Sequence, residues 1–455
     1  MVEKTACRFT KQRKKKNRDY HMSTNLDTIQ LKKSGSLIGK TLYIPRMSED
    51  AATTMAAAYR AIGVNGQILP EADDAALELA RQYTIGEECY PEIVTLGSFL
   101  KIINDPDFDP ENTAFLMPTA GGPCRFGQYQ SLLKKILEDM GYPQVMVVAP
   151  TSADGYAEMG GNAGNLVRLG WWAVICGDAL RKLRLQTRPY EINPGETNRV
   201  YYECLGLLSG LIERTDLQMK DKFTDLVNLM SVISQKFSDI PADYHTGKPL
   251  IGVVGEIYCR LDDFANAYLI ERIEKFGGEA WLASVSEWVF YTNFMQQHDL
   301  IIQGDRFSKA MLGAVVRNKI QERDEHQLLA SLKSRFKGYE EPESIAKLVA
   351  PVAPYLPYSG SLGEMVLNVG GAIYLYQKGA DGIIDISPFT CMNGIVCEAV
   401  YPRVSQDHDN LPIRNFYFDG TEMDYDRDVE IFLELASTYK RRKQNQRTYP
   451  SHFRS

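Results

Sequence analysis

Short apolar runs separated by amphipathic helical stretches constrain this chain more than any other feature. From Thr41 onward, Leu42-Tyr43-Ile44, Ala114-Phe115-Leu116-Met117 and Val145-Met146-Val147-Val148 are apolar at successive positions and too short to be helices. A strand apolar on both sides is covered on both faces, as in a parallel sheet between helix layers. Between the runs lie helical stripes, such as Phe126, Tyr129, Leu132, Leu133, Ile136, Leu137 and Met140. The pattern predicts an α/β fold, with a first Rossmann-like or flavodoxin-like parallel-sheet domain over residues 41–190.

Residues 191–247 change character, with stripes Tyr201, Leu205, Leu208, Leu211 and Phe223, Leu226, Met230, Ile233, Phe237 and no strand signal. They predict a helical insertion or linker layer. A second α/β domain is expected over 248–440. It opens on the strand Leu250-Ile251-Gly252-Val253-Val254, continues with a helix carrying Ala265, Tyr268, Leu269, Ile273 and Phe276, and includes the strand Ile383-Ile384-Asp385-Ile386. Residues 1–40 read as a flexible basic tail and 441–455 as a basic C-terminal tail. Gly35, Gly39, Lys40 and Thr41 imitate a phosphate loop, but the glycines are one residue too close and a strand follows where a helix is required. Two such domains facing each other leave a cleft between the carboxyl ends of their sheets, the usual ligand position.

A net charge of −7 offers no global attraction for nucleic acid or an anionic membrane. No apolar run approaches ~20 residues and no signal-peptide pattern stands at the start, so a soluble cytoplasmic protein is expected. Eight cysteines in 455 residues are too sparse for a disulfide scaffold. Without a CxxC pair, zinc ribbons, thioredoxin-type sites and close-spaced ferredoxin runs lack support. The six histidines show no HExxH or other ligand spacing and are assigned to no metal.

Three cysteines share a local grammar: Gly86-Glu87-Glu88-Cys89-Tyr90-Pro91, Ala120-Gly121-Gly122-Pro123-Cys124-Arg125-Phe126-Gly127 and Ser387-Pro388-Phe389-Thr390-Cys391-Met392-Asn393-Gly394. Each precedes a helical pattern, and the last two follow a strand. A helix N-terminus favours a thiolate and can donate N–H groups to cluster sulfur. Spacing alone favours the plainer reading, small buried residues at strand ends. Cys176 and Cys204 read as core, Cys397 as packed on a helix, and Cys7 as part of the tail.

The segments 86–101, 117–129, Gly252-Val253-Val254-Gly255-Glu256-Ile257-Tyr258-Cys259-Arg260 with Phe264-Ala265-Asn266, and 379–392, taken in order, resemble the 2-hydroxyacyl-CoA dehydratase and benzoyl-CoA reductase superfamily. The likeness is greatest to the portion following the ATPase domain in large CoA-substrate-specific activase-related proteins, and it covers roughly residues 40–440. It implies two flavodoxin-like domains with an interdomain 4Fe-4S cluster ligated by Cys89, Cys124 and Cys391. It also implies a separate electron-donating ATPase activator of the sugar kinase/Hsp70/actin fold, since no phosphate loop is found here. A double-cubane cluster, less expected, needs further ligands, for which Cys259 at the end of a strand Gly255–Tyr258 is the foremost candidate. A dimer is an open alternative for the assembly.

Glu256, Tyr258, Arg260 and Asn266 cluster at a strand-to-helix turn of the second domain. Arg260 is a candidate for holding a carboxylate or phosphate and Glu256 for proton transfer; ordinary turn capping, with Asp262 or Asp263 capping the helix, is the plainer alternative. Arg125 is read either as compensating cluster charge or as a surface ion pair. Ser387 and Thr390 are candidate donors to cluster sulfur. Three functions compete: an enzyme component passing electrons to a bound CoA thioester or other small molecule, a non-catalytic electron carrier, and a cluster-free small-molecule-binding protein.

Overall fold

The computed structural model describes residues 37, 39–119, 124–149, 163–357 and 363–453. Most of the N-terminal tail, with Cys7 and His21, and the glycines before Cys124 lie outside them. The chain is α/β, built on two four-stranded sheets in which every strand pair is parallel. The first holds β1 (Thr41–Ile44), β2 (Asn65–Ile68), β3 (Thr113–Leu116) and β4 (Met146–Val148) in the order β2-β1-β3-β4. The second holds β5 (Leu250–Gly255), β6 (Glu279–Leu282), β7 (Gly382–Pro388) and β8 (Ile413–Phe418) in the order β6-β5-β7-β8. The same order in both halves is consistent with two Rossmann-like units, each with a switch point between its two central strands.

Helices α1 (Glu49–Arg60), α2 (Asp74–Arg81), α3 (Tyr90–Ile103) and α4 (Phe126–Asp139) belong to the first sheet. The connection to the second sheet is α5 (Ala163–Thr187), α6 (Glu196–Glu213) and α7 (Met219–Ser238). The second sheet carries α8 (Ile257–Leu261), α9 (Leu269–Lys275), α10 (Val285–Ile302), α11 (Lys309–Leu328), α12 (Ile345–Val349), α13 (Met365–Gln377), α14 (Met392–Asp407) and α15 (Tyr425–Arg442). Starts follow side-chain caps: Ser48, Asp73, Ser284 and Ser308 accept the N–H three residues on in α1, α2, α10 and α11.

β5 and β7 are buried at every position, as continuous apolar strands of a covered sheet should be. One face of the first sheet packs on α1, α5, α6 and α7 through Leu42, Trp172, Leu180, Tyr201 and Met230; the other packs on α3 and α4 through Phe99, Phe115 and Leu133. The second sheet has its own core with α13 and α14. A further core crosses between the halves, joining Leu77, Tyr90 and Val94 to Ile251, Val253, Phe416 and Phe418. Polar ties reinforce it. Asp178 of α5 accepts the Val285 and Ser286 N–H groups at 3.1 and 2.8 Å, and Arg188 grips Glu274 at 2.6 and 3.1 Å.

The basic C-terminal segment docks on the second sheet. Arg447 forms a bidentate pair with Glu279, 2.8 Å at each oxygen, and both side chains are almost wholly buried. The Tyr190 hydroxyl donates to the same carboxylate at 2.7 Å, and the Tyr339 hydroxyl also donates to it. Removing one member of such a set strands a buried charge. Arg447→Ala is expected to lower unfolding free energy by ~3–5 kcal/mol, whereas exposed Arg441→Ala should change it by less than ~0.5 kcal/mol; urea denaturation of the two variants measures both.

Candidate functional site

Each sequence-predicted cysteine lies in a different connection: Cys89 between α2 and α3, Cys124 after β3 and Cys391 after β7. Cys89 is the N-cap of α3, with Pro91 in the first turn. Proline suits that turn because its missing N–H would have no helical partner there. Cys391 is the N-cap of α14, after the end of β7. Cys124 lies two residues before α4, in the connection from β3. The Cys391 sulfur accepts from the Asn393 and Gly394 N–H groups, the Cys124 sulfur from the Phe126 N–H, and Cys89 shares a hydrogen bond with the Tyr129 hydroxyl. The unpaired N–H groups of α4 and α14 are therefore aimed at thiol sulfur.

The three cysteines come together electrostatically. Cys89 lies within reach of charge on both Cys391 and Cys124, and all three lie within reach of Glu256. Burial, followed by these neighbouring charges, pushes the thiols up, that of Cys391 to about 12. Without a cation they stay protonated at neutral pH. Cys176 and Cys204 lie in the first core, and Cys397 lies in the second, its thiol directed to the Met365 carbonyl.

Glu256 follows β5 and caps α8, its carboxylate accepting the Tyr258 and Cys259 N–H groups at 3.1 and 2.9 Å. Here the structure corrects the expected strand Gly255–Tyr258: β5 ends at Gly255, and the Glu256 cap turns the chain into a short helix. Gly255 sits at φ +126°, where an added Cβ would lie 2.0 Å from the Ile386 carbonyl, so the end of β5 beside β7 requires glycine. Cys259 is consequently fully buried behind Glu256, with its thiol donating to that carboxylate, although it too lies within reach of Cys89 and Cys391.

The expected helix from Ala265 is interrupted, because Ala267 and Tyr268 adopt positive φ and α9 starts at Leu269. Asn266 explains the break: its amide donates to the Cys259 carbonyl at 3.0 Å and its oxygen accepts the Leu269 N–H at 3.0 Å. Asp262 caps that turn through the Ala265 N–H at 2.7 Å, and Tyr258 is buried against Thr95. Tyr258, Asp262 and Asn266 are thus structural. Ser387 turns its hydroxyl to Asp385 at 3.1 Å instead of to Cys391, while Thr390 occupies a strained left-handed turn immediately before Cys391. Arg125 lies exposed at the start of α4, within electrostatic reach of Glu92.

One participant left no signal in the sequence. Glu364, beside the start of α13, accepts the Ile257 N–H at 3.1 Å and is pushed up to about 8 by burial and then by Glu256. Glu256 is itself raised by burial. Two buried carboxyls in contact with each other's field hold a proton between them at neutral pH. The edge therefore combines three protonated thiols, an acid pair and the nearby guanidinium of Arg260. Among the described residues, no group of three or more His, Cys, Asp or Glu is spaced to hold a single metal ion, and no helix is long and apolar enough to cross a membrane. No family model matches the chain, and no curated protein matches its sequence.

Buried acids elsewhere set a pH dependence. Burial raises Glu287 and Glu325 to about 8 each. Because their folded pKa lies above the unfolded value, the protonated form favours the fold, and that stability is lost as pH rises from about 4.5 through 8. The urea midpoint of the metal-free protein should fall between pH 6 and pH 9, and the combined Glu287→Gln and Glu325→Gln variant should show a shallower fall.

Proposed function

We propose that this chain is the iron-sulfur component of an ATP-activated, low-potential reductive system related to the 2-hydroxyacyl-CoA dehydratases, with a 4Fe-4S cluster on Cys89, Cys124 and Cys391. The observation that supports the reading is that three cysteines far apart in sequence all lie within electrostatic reach of Glu256, with Cys89 also within reach of the other two, and that two of them accept N–H groups from helix starts. A cube asks for ligand sulfurs ~6–7 Å apart, wider than the shell around a single ion.

The residues suit such a group. Backbone N–H donors to sulfur stabilise thiolate and tune the potential of a cluster. Thiols pushed up by burial and by carboxyls need a strong cation to ionise, so metal uptake releases protons. Three thiolates leave one iron corner without a cysteine. When bound, the cluster would supply a single electron at low potential to a small molecule at that corner. The Glu256–Glu364 pair holds a proton on the same edge and is the natural general acid for a reduced substrate. In this reading electrons come from a separate ATPase activator of the sugar kinase/Hsp70/actin fold, and the acceptor is a CoA thioester or another small molecule.

Anaerobic reconstitution with iron and sulfide, followed by metal analysis, tests the ligand set. Cys89→Ser, Cys124→Ser and Cys391→Ser should each retain less than about a quarter of the wild-type iron, whereas Cys176→Ser should retain nearly all of it. Equal iron in all four variants would exclude the assignment. The isolated chain should also show no ATP turnover.

A further inference from the structure

Arg260 is a buried cation with no hydrogen-bonded side-chain partner among the described residues. It is 4% exposed, and its Nε is buried with no hydrogen bond. Among the described residues, none of its nitrogens forms an ion pair or a side-chain hydrogen bond. Yet Glu256, Glu287, Glu364 and Asp385 all lie within reach of its charge. Three of these carboxyls are occupied elsewhere: Glu256 by the Tyr258 and Cys259 N–H groups, Glu364 by the Ile257 N–H, and Asp385 by the hydroxyls of Ser387 and Tyr401. A guanidinium presents five donors in a fixed fork, and leaving them unmet in a buried site is costly.

The position of this cation points to its ligand. The backbone N–H of Arg260 donates to the carbonyl of the N-cap Glu256 at 2.9 Å, one turn apart at the start of α8, and the Glu256 carboxyl lies within reach of the Arg260 charge. Glu256 in turn lies within reach of Cys89, Cys124 and Cys391. The fork of Arg260 is therefore set one turn beyond the acid that borders the thiols. Asp385, raised only to about 6 and so ionised at neutral pH, repels a multiply charged anion such as phosphate more than a singly charged one, and one guanidinium balances one negative charge. Two coplanar oxygens match the fork in bidentate fashion.

We propose that Arg260 anchors the carboxylate of a small, singly charged substrate and thereby holds its reacting end beside the three cysteines. The location of the reacting end rests on the proposed function, whereas the carboxylate site does not. An anchor of this kind favours an enzyme component over a pure electron carrier, which has no use for a substrate anion.

Titration calorimetry with lactate and propionate, set against lactamide, propionamide and inorganic phosphate, tests the site on both iron-loaded and metal-free protein. The acids should bind and the amides and phosphate should not. Arg260→Gln should abolish binding, and Arg260→Lys, which keeps the charge and loses the fork, should weaken it by about 10-fold. Both variants should keep wild-type iron content. Unchanged acid binding in Arg260→Gln, no acid binding by folded wild type, or tighter binding of phosphate than of acids would overturn the proposal. So would iron loss in Arg260→Lys, since the guanidinium would then be balancing the cluster. A chain that takes up no iron but binds lactate through Arg260 would retire the functional reading and leave this one standing.

Discussion

Everything at the candidate site depends on the apolar seam that joins the two halves of the chain. Tyr90 and Val94, in the helix that Cys89 caps, pack in one core with Phe416 and Phe418 of β8 and Ile251 and Val253 of β5. At Gly420, with φ +81°, an added Cβ would lie 3.0 Å from the Tyr90 ring. That close approach brings the start of α3 to the carboxyl end of the second sheet. Without the seam, Cys89 and Cys391 would belong to unrelated domains. The hydrophobic effect, which has no chemical selectivity, here positions the polar groups that do.

Burial then decides the chemistry. The same exclusion of water that raises the thiols also raises Glu256 and Glu364, so the edge stores protons instead of charge. The second half shows the opposite solution at Glu279, where a carboxylate is held by Arg447, Tyr190 and Tyr339 together. One buried acid is fully partnered and serves the fold. The others are raised and lie around Arg260, which forms no ion pair among the described residues, an arrangement suited to binding and proton transfer.

The strands that could be read from the sequence were apolar runs: the central β1, β3, β5 and β7 and the edge strand β4, and the sheet class follows from them. β2, with the sequence Asn-Gly-Gln-Ile, and β6, with a buried glutamate at its start, carry no such run, because an edge position and a side-chain network replace apolar burial. The stretch containing α10 and α11 was silent too; much of α11 is exposed, and polar contacts such as Asp178 with the start of α10 and Asp324 with Trp172 join apolar packing of Phe290 and Tyr291 in placing the two helices. At the site, the three cysteines share Gly/Pro-flanked helix starts, but that pattern alone favoured small buried residues, and the family resemblance singled them out. Glu364 could not, since only the fold carries it to Glu256. The reversal at Cys259 came from one cap: a glutamate that accepts two N–H groups ends a strand where an apolar pattern would extend it.

The central claim is that Cys89, Cys124 and Cys391 hold one cluster between the two sheets. An anaerobic crystal structure of reconstituted protein with anomalous scattering recorded at the iron edge tests it most directly. The account predicts a single compact iron peak beside the starts of α3, α4 and α14, with the three sulfurs as ligands. Iron located elsewhere, or three thiols free of metal in iron-replete crystals, would contradict it.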